Sequence, residues 1–240
     1  MNNICSLLVL LLTTLYMDAQ QTPLYQVHFI DSYALDINGK GDNTIWLKAP
    51  KLTSFIYPWN EGSPPSMSFQ SLHNTKWLYG LYIVMDTKPI ISYTDQNAKT
   101  DVLASDRVEI FLRKNKKMNP YYALELDSKG RIFDNEARYH RSFNQNWTWP
   151  QGELIVKTNA FSNGYSLEFA ISKKSLRKLG LLNKNRIQAG LFRGECISLK
   201  GREAEFKWIS WVRPDSPTPD FHIPSSFGVL ILEGKNRAIF

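Results

Sequence analysis

Hydrophobic and polar side chains alternate most regularly in residues 105–130, where two strand patterns flank a basic turn. Successive side chains of a strand point to opposite faces, so each pattern separates into two sets. One set is apolar and consists of Val108, Ile110, Leu112, Tyr122, Leu124 and Leu126. The other set is polar and aromatic and includes Arg107, Glu109, Tyr121 and Glu125. The pattern predicts a hairpin that packs one face on a core and offers the other as a functional surface.

Alternation also predicts strands along most of the remaining chain. Residues 77–86 are apolar on both faces, so we expect this strand to be covered on both sides or to carry an aromatic binding surface. Ser172 is expected to cap one short helix that runs to about Leu179 and is stopped by Gly180. About ten short strands with one short helix indicate an all-β fold, a β-sandwich. The other predicted strands cover residues 25–30, 67–72, 153–158, 165–171, 186–196, 206–212 and 227–232.

Two segments rich in proline, residues 58–65 and 214–224, interrupt the strand pattern. Proline fixes its backbone φ angle and has no N–H group, so neither segment suits the interior of a sheet or helix. We predict that both are loops.

The first 19 residues are set apart from the predicted fold. Residues 4–16 form an apolar run that is too short to span a bilayer, and the small residue Ala19 follows it. These features predict a secretory signal peptide, with an uncleaved membrane anchor as the alternative. Residues 20–240 would then form a single exported domain, in the periplasm, at the cell surface or secreted, with no transmembrane span. Its one thiol would be Cys196, so we expect no internal disulfide.

The chain has a formal net charge of +7 at pH 7. Its Lys and Arg residues are spread along the sequence, apart from short clusters in residues 113–117 and 173–178. A nucleic-acid-binding surface concentrates such residues on one face, so we predict no nucleic-acid partner.

Asp36, Asn38 and Asp42 lie in a stretch rich in Gly, Asn and Asp, which predicts a tight turn. Their side-chain oxygens are also weak candidates for calcium ligands. The spacing is not that of an EF-hand loop, and no Glu follows at the closing position.

Residues 131–150 are dense in side chains that stack on, or hydrogen-bond to, a polar ligand. A sugar ring offers an apolar face of C–H groups, which stacks on Trp or Tyr, and a rim of hydroxyls, which needs polar partners. We predict that this segment and residues 208–213 together form a carbohydrate site. The candidate ligand-binding residues are Trp147, Trp149, Trp208, Trp211, Arg107, Glu109, Tyr121, Arg138 and Asn146.

Two other functions stay open. A glycoside hydrolase, or its accessory subunit, would place two carboxylates on either side of one bond. Glu109 and Glu125 can face each other across the hairpin, but Arg107 nearby favours a neutralised pair over an acid and a nucleophile. A haem-binding electron-transfer sandwich would need axial ligands in an apolar pocket. The available axial ligands include Met85, Met118 and His140.

A series of segments follows the signal region in a recognisable order: INGKGDNTIW, WLYGLYIVMD, SDRVEIFLR, PYYALELDSKGRIFD, YSLEFAISKKSL, WISWVRP and FHIPSSFGVLIL. In their order and spacing, the chain resembles carbohydrate-binding module family 9 over nearly all of residues 20–240. The resemblance implies a jelly-roll-like β-sandwich that grips a glycan between aromatic rings, without catalysis and often with structural calcium. It also implies an exported protein that handles glycans, with a glycoside hydrolase as a candidate partner.

Overall fold

The computed structural model describes residues 22–31, 35–94 and 98–234, so the predicted signal peptide lies outside the described residues. Strands are the main secondary structure of the described chain, as the alternation predicts. The strands are β1 (Leu24–Phe29), β2 (Met67–His73), β3 (Trp77–Val84), β4 (Arg107–Arg113), β5 (Tyr121–Asp127), β6 (Ile132–Arg138), β7 (Ser142–Asn144), β8 (Leu154–Phe161), β9 (Gly164–Ser172), β10 (Leu182–Asn183), β11 (Arg186–Lys200), β12 (Glu203–Ser210) and β13 (Gly228–Leu232).

Helices are few and short. They are α1 (Ala98–Asp101), α2 (Lys173–Lys178) and three 3-10 segments, Thr44–Lys48, Val102–Ala104 and Pro224–Ser226. Helix α2 begins as predicted, because the Ser172 side chain accepts a hydrogen bond from the backbone N–H of Ser175 at 3.0 Å. None of these described helices has the length and apolar character needed to cross a membrane.

The strands form two layers joined by β1. The first sheet has the order β7-β6-β5-β4-β11-β13-β1, and β10 and β12 also pair with β11. The second sheet has the order β1-β2-β3-β9-β8. Strand β1 runs parallel to β13 through residues 24–27 and then parallel to β2 through residues 28–29, so it passes from one sheet to the other. This arrangement confirms the predicted all-β sandwich.

The predicted hairpin is the pair β4 and β5, and Glu109 lies directly opposite Glu125 in its register. Val108, Ile110 and Leu112 are each 0% exposed in the main core between the two sheets. Full burial of such a side chain contributes about 1.5–3 kcal/mol to the free energy of folding. The sequence pattern therefore assigned these three side chains correctly to the core-facing side of the hairpin.

Both outer faces of the sandwich carry additional clusters. Residues 35–49 cover the outer face of the second sheet around Tyr79 and Leu81, which confirms that β3 is covered on both sides. Phe221 and Phe227 cover part of the outer face of the first sheet, where they pack against Phe192. Residues 214–224 therefore form a loop, as predicted, and this loop lies across the sheet.

The polar face of the hairpin is consequently not an open surface. Arg107 and Tyr121 are at most 5% exposed, and Glu109 and Glu125 are at most 4% exposed. The alternation assigned these side chains to the correct face, but it contains no information about a loop that is distant in sequence and covers that face.

Candidate functional site

A cleft on the outer face of the first sheet brings together aromatic rings and charged groups. The side chains of Arg107, Glu109 and Glu125 form its floor, and Trp59 and Trp208 form two of its walls. We call this the Trp208 cleft. Its complete lining is Trp59, Arg107, Glu109, Glu125, Arg141, Trp208, Pro219, Asp220, Phe221 and His222.

Strand register explains why the floor and the Trp208 wall meet. Gly194 of β11 lies opposite Arg107 of β4 on one side and opposite Trp208 of β12 on the other. A Cβ atom at Gly194 would lie 3.1 Å from Cζ3 of Trp208 and 3.2 Å from Nη1 of Arg107. The missing side chain leaves the space in which the guanidinium carbon of Arg107 lies 5.4 Å from the Trp208 ring centroid.

The floor is a buried charge network. Arg107 Nε donates to Glu125 Oε2 at 2.6 Å and lies 3.0 Å from Glu109 Oε1. One cation thus faces two carboxylates, and the well-directed hydrogen bond goes to Glu125. Glu109 Oε1 has no hydrogen-bond donor within the described chain. This oxygen is therefore buried beside the Arg107 charge without a well-directed hydrogen bond.

Burial and charge together shift the titration of the two carboxyl groups. Burial, followed by repulsion from Glu125, raises the pKa of Glu109 to about 8, against the opposing effect of Arg107. Burial also raises the pKa of Glu125, although the Arg107 guanidinium lowers it. Both carboxyl groups therefore keep a proton to higher pH than an exposed glutamate would.

The second tryptophan wall comes from the proline-rich loop of residues 58–65. Trp59 Nε1 donates to the backbone oxygen of Ser216 at 2.8 Å, and the Arg213 guanidinium donates to the Pro58 oxygen at 2.8 Å. Trp59 also packs on Phe221, with ring centroids 5.3 Å apart. The two predicted loops are thus fastened to each other at the cleft.

Phe221 fixes the loop of residues 214–224 to the sheet. Its ring stacks on Phe192 with centroids 4.1 Å apart and planes 11° apart. It meets the Trp208 ring edge-on at 5.6 Å and 90°. Phe221 therefore lies between the two tryptophan walls and limits the depth of the cleft.

The rim is polar. Asp220 Oδ2 lies 3.0 Å from His140 Nε2, and Asp220 Oδ1 lies 3.6 Å from Arg141 Nη2. Although burial alone would raise the pKa of Asp220, its hydrogen bonds with His140 and with the His222 backbone N–H, together with the Arg141 charge, lower it. Asp220 is consequently an ionised acceptor at neutral pH, beside the exposed cation Arg141.

His222 closes the back of the cleft. Its Nδ1 lies 2.9 Å from the Tyr121 hydroxyl, and burial lowers the pKa of this imidazole to about 4. His222 is therefore neutral at physiological pH. Tyr121, a predicted ligand residue, lies behind this imidazole and does not line the cleft.

The cavity of the cleft is about 60 Å³ in volume. A water molecule needs about 10–15 Å³ of such space, so the cavity holds a few waters, and it is smaller than the pockets that enclose small molecules. A larger ligand would lie across its mouth, against the tryptophan rings, with its polar groups directed to the floor and rim. The cleft can thus combine ring stacking with hydrogen bonding.

The structure separates the nine predicted ligand residues into groups. Arg107, Glu109 and Trp208 line the Trp208 cleft. Trp149 and Trp211 are 5% and 8% exposed in the main core. Arg138 and Asn146 are exposed and do not line the cleft. Of the two segments predicted to form the site, residues 131–150 reach the Trp208 cleft through Arg141 and residues 208–213 through Trp208, whereas the other candidates of both segments lie elsewhere.

Trp147 and Trp149 form a separate group with Tyr122, which we call the Trp149 cluster. The Trp147 ring lies 4.8 Å from Tyr122 and 5.6 Å from Trp149, measured between centroids. Trp149 Nε1 donates to Ser175 Oγ at 3.1 Å. Tyr122 belongs to the inner face of the hairpin, so these rings pack on the opposite face of the sheet from Trp208.

Sequence reasoning missed six cleft residues that come from loops: Trp59, Arg141, Pro219, Asp220, Phe221 and His222. The available signal was the placement of aromatic residues within proline-rich loops, since such rings need a packing partner elsewhere in the chain.

The turn with the candidate calcium ligands is held by protein groups. Glu168 Oε2 accepts from the backbone N–H groups of Asn38 and Gly39 at 2.9 and 2.7 Å. Asn38 Nδ2 donates to Asp42 Oδ1 at 3.2 Å, while Asp36 is exposed. No group of three or more His, Cys, Asp or Glu side chains suited to a metal ion occurs in the described residues.

The candidate haem ligands are not assembled either. Met118 is buried in the cluster around Phe111, Met85 is 38% exposed, and His140 is exposed beside Asp220.

Comparisons with known proteins add to this geometry. The family described as "Carbohydrate family 9 binding domain-like" matches residues 37–235 of the chain. None of the curated proteins compared with the chain matches it significantly in sequence.

Three solved structures share the fold. A proposed carbohydrate-binding protein from Bacteroides uniformis superposes with a TM-score of 0.65 at 16% identity, over 88% of this chain and 100% of that protein. A carbohydrate-binding module of family 9 from Caldicellulosiruptor kristjanssonii, in complex with cellotriose, gives 0.59 at 16% identity, over 91% and 97%. The same module in complex with glucose gives 0.59 at 16%, over 90% and 99%. At this identity the similarity establishes the sandwich fold.

Proposed function

The chain belongs to the carbohydrate family 9 binding domain-like family, and from this premise we propose that it binds a carbohydrate, without catalysis, at the Trp208 cleft. One observation carries the proposal. The tryptophan rings of Trp59 and Trp208 border the same cleft as a buried network of Arg107 and two carboxyl groups. This combination matches the two surfaces of a sugar, its apolar C–H face and its hydroxyl rim.

The polar groups of the cleft suit hydroxyl ligands in particular. Asp220 is an ionised acceptor on the rim, and Arg141 is an exposed donor. A hydroxyl both donates and accepts, so each of these groups has a possible partner on a sugar.

The arrangement of the floor supports binding over hydrolysis. A glycosidase acid and its nucleophile or base lie on either side of the scissile bond. Glu109 and Glu125 are instead opposite each other on adjacent strands, and both contact the same guanidinium. The Arg107 contacts hold the carboxyl groups together beneath the ligand.

Two further parts of the proposal rest on sequence alone. The apolar run in residues 4–16 supports export, and the family resemblance supports an association with a glycoside hydrolase. Detection of the protein outside the cytoplasm tests the first, and co-purification with a hydrolase from the same cells tests the second.

Isothermal titration of the full chain tests the binding function. The panel contains the mono- and trisaccharides of the β-1,4-linked glucose, xylose and mannose series. We expect at least one sugar to bind, and we expect Trp59→Ala and Trp208→Ala to weaken that binding tenfold or more. Trp147→Ala is the matched control, because it removes the same ring from the Trp149 cluster.

Two results would contradict the proposal. One is a folded wild-type protein that binds no sugar of the panel. The other is a set of folded Trp59 and Trp208 variants whose affinities equal that of wild type. Release of shorter sugars on prolonged incubation with the trisaccharides would instead identify a glycoside hydrolase.

A further inference from the structure

Strand β12 carries a row of side chains that extends beyond the Trp208 cleft. Because alternate residues share a face, Ala204, Phe206 and Trp208 all point to the outer side of the sheet, and Arg202 precedes them in the adjoining turn. The Phe206 and Trp208 rings stack with centroids 4.9 Å apart and planes 29° apart. From residue 202 to residue 208 this row spans about 20 Å at the rise of an extended strand.

A second cavity lies along the other end of this row. Its volume is about 440 Å³, which is much larger than the 60 Å³ of the Trp208 cleft. Arg202, Ala204 and Phe206 line one side, and Leu103 and Ala104 line another. The larger space is therefore bordered by the ring that neighbours Trp208.

Polar groups are also fixed in this second cavity. Asp101 accepts from the Thr94 backbone N–H at 2.7 Å and from Thr94 Oγ1 at 2.6 Å. These bonds hold the Thr94 side chain at the wall of the cavity. Arg202 is exposed at the opposite side, and its charge contributes to the lowered pKa of Asp101, after the larger effects of the Thr94 hydrogen bonds and of Arg131. The wall thus carries one cation and one anion, which suits an uncharged ligand with hydroxyl groups.

Arg107 connects the two cavities. Its guanidinium carbon lies 4.9 Å from the Phe206 ring centroid and 5.4 Å from that of Trp208. Its Nη1 donates to the backbone oxygen of Leu103 at 3.1 Å, and Leu103 lines the second cavity. One buried side chain therefore fixes the relative positions of both aromatic rings and of both cavities.

We propose that Phe206 and the cavity beside it form a second sugar subsite, so that the ligand is an uncharged oligosaccharide with one residue at Trp208 and a following residue at Phe206. This inference rests on the proposed carbohydrate-binding function. Phe206 supplies the stacking surface of the second subsite, and Thr94 and Arg202 supply its hydrogen-bonding groups.

The test compares mono- and trisaccharide affinities by isothermal titration of the full chain, with the glucose, xylose and mannose series described above. For the series that binds, we expect the trisaccharide to bind at least tenfold more tightly than the monosaccharide. Phe206→Ala should reduce trisaccharide affinity about tenfold and leave monosaccharide affinity within about twofold. Ile197→Ala is the matched control, because it removes a side chain that is 47% exposed and lies outside both cavities.

Phe206 contacts Trp208, so the removal of Phe206 can also move the Trp208 ring. A second variant that leaves both rings in place separates these two effects. Ala204→Trp adds a bulky ring in the second cavity, and Ala204 does not line the Trp208 cleft. It should lower trisaccharide affinity and preserve monosaccharide affinity.

Equal affinities of wild type for mono- and trisaccharide would overturn the second subsite and leave the binding function intact. The same holds if both variants keep the wild-type ratio of the two affinities. Absence of binding to every sugar of the panel would overturn the binding function itself, and the second subsite with it.

Discussion

The Trp149 cluster and the Trp208 cleft are both rich in aromatic rings, but they differ in what surrounds the rings. In the Trp149 cluster, Trp149 is 5% exposed, packs edge-on against Tyr122 and donates its indole N–H to Ser175. In the Trp208 cleft, Trp208 is only half-buried and stacks against the Arg107 guanidinium. The first region uses its aromatic rings to fill the core, whereas the second presents them next to charge.

The carboxylates of the two regions differ in the same way. Asp134 beside Trp149 accepts the Trp149 backbone N–H at 2.5 Å and pairs with Lys99 at 2.8 Å. Glu109 beside Trp208 shares Arg107 with Glu125 and keeps one oxygen without a hydrogen bond in the described chain. A fully hydrogen-bonded carboxylate indicates a structural role, which fits the Trp149 cluster. Aromatic density alone therefore does not identify a binding site.

Trp149→Ala should produce the largest effect. Removal of this buried ring leaves a cavity in the main core and unpairs Ser175 Oγ from its donor, so we expect the free energy of unfolding to fall by about 3–5 kcal/mol. Denaturant titration measures the loss. The variant that remains folded should bind sugar with wild-type affinity, and a selective loss of binding would contradict the division between the two regions.

Gly194→Ala should change the shape of the Trp208 cleft. The new Cβ would lie 3.1 Å from Trp208 and 3.2 Å from Arg107, so the two side chains must move apart. We expect a loss of stability of about 1–3 kcal/mol together with a several-fold loss of sugar affinity. Gly234→Ala, where the added Cβ meets no atom within 4 Å, is the control. Unchanged affinity in the Gly194 variant would show that this contact does not shape the site.

Glu109→Gln should remove a pH dependence of stability. The folded-state pKa of Glu109 is raised to about 8, chiefly by burial, whereas an unfolded Glu titrates near about 4.3. The folded state thus binds the proton more tightly, and the contribution is complete below about pH 4.3 and lost as pH rises towards 8.

The measurement is the difference in unfolding free energy between wild type and Glu109→Gln across pH 5 to 8. Wild type should lose stability relative to the variant as pH rises, by at most about 1.36 kcal/mol per pH unit. Parallel profiles would mean that Glu109 is ionised throughout and that Arg107 dominates the floor.

Arg138→Ala and Asn146→Ala should have the smallest effects. Both side chains are exposed and lie outside the cleft, so we expect changes within about 0.5 kcal/mol in stability and no change in sugar affinity. A clear loss of affinity in either variant would place these exposed side chains in the binding site, as the sequence predicts for residues 131–150 together with residues 208–213.

Sequence by itself determined most of the strands of this protein and their faces, although strands β6 and β7 within residues 131–150 were not predicted. The period-two alternation in residues 105–130 identified the hairpin, its core side and the residues opposite the core, including Arg107 and Glu109. The helix N-cap at Ser172 could be predicted in the same way, because a cap depends on residues within one turn of the helix. These features are local, so the information that specifies them lies within a few neighbouring positions.

Tertiary structure alone decided which of the tryptophans line the cleft. Trp147 and Trp149 were as good candidates as Trp208 by residue type, and only the packing on Tyr122 assigns them to the opposite face of the sheet. The contribution of Trp59, Asp220 and Phe221 to the cleft depends on two loops that meet across more than 150 residues of sequence, as the bond between Trp59 and Ser216 shows. Such contacts follow from the closure of the whole fold, and no local pattern in one sequence specifies them.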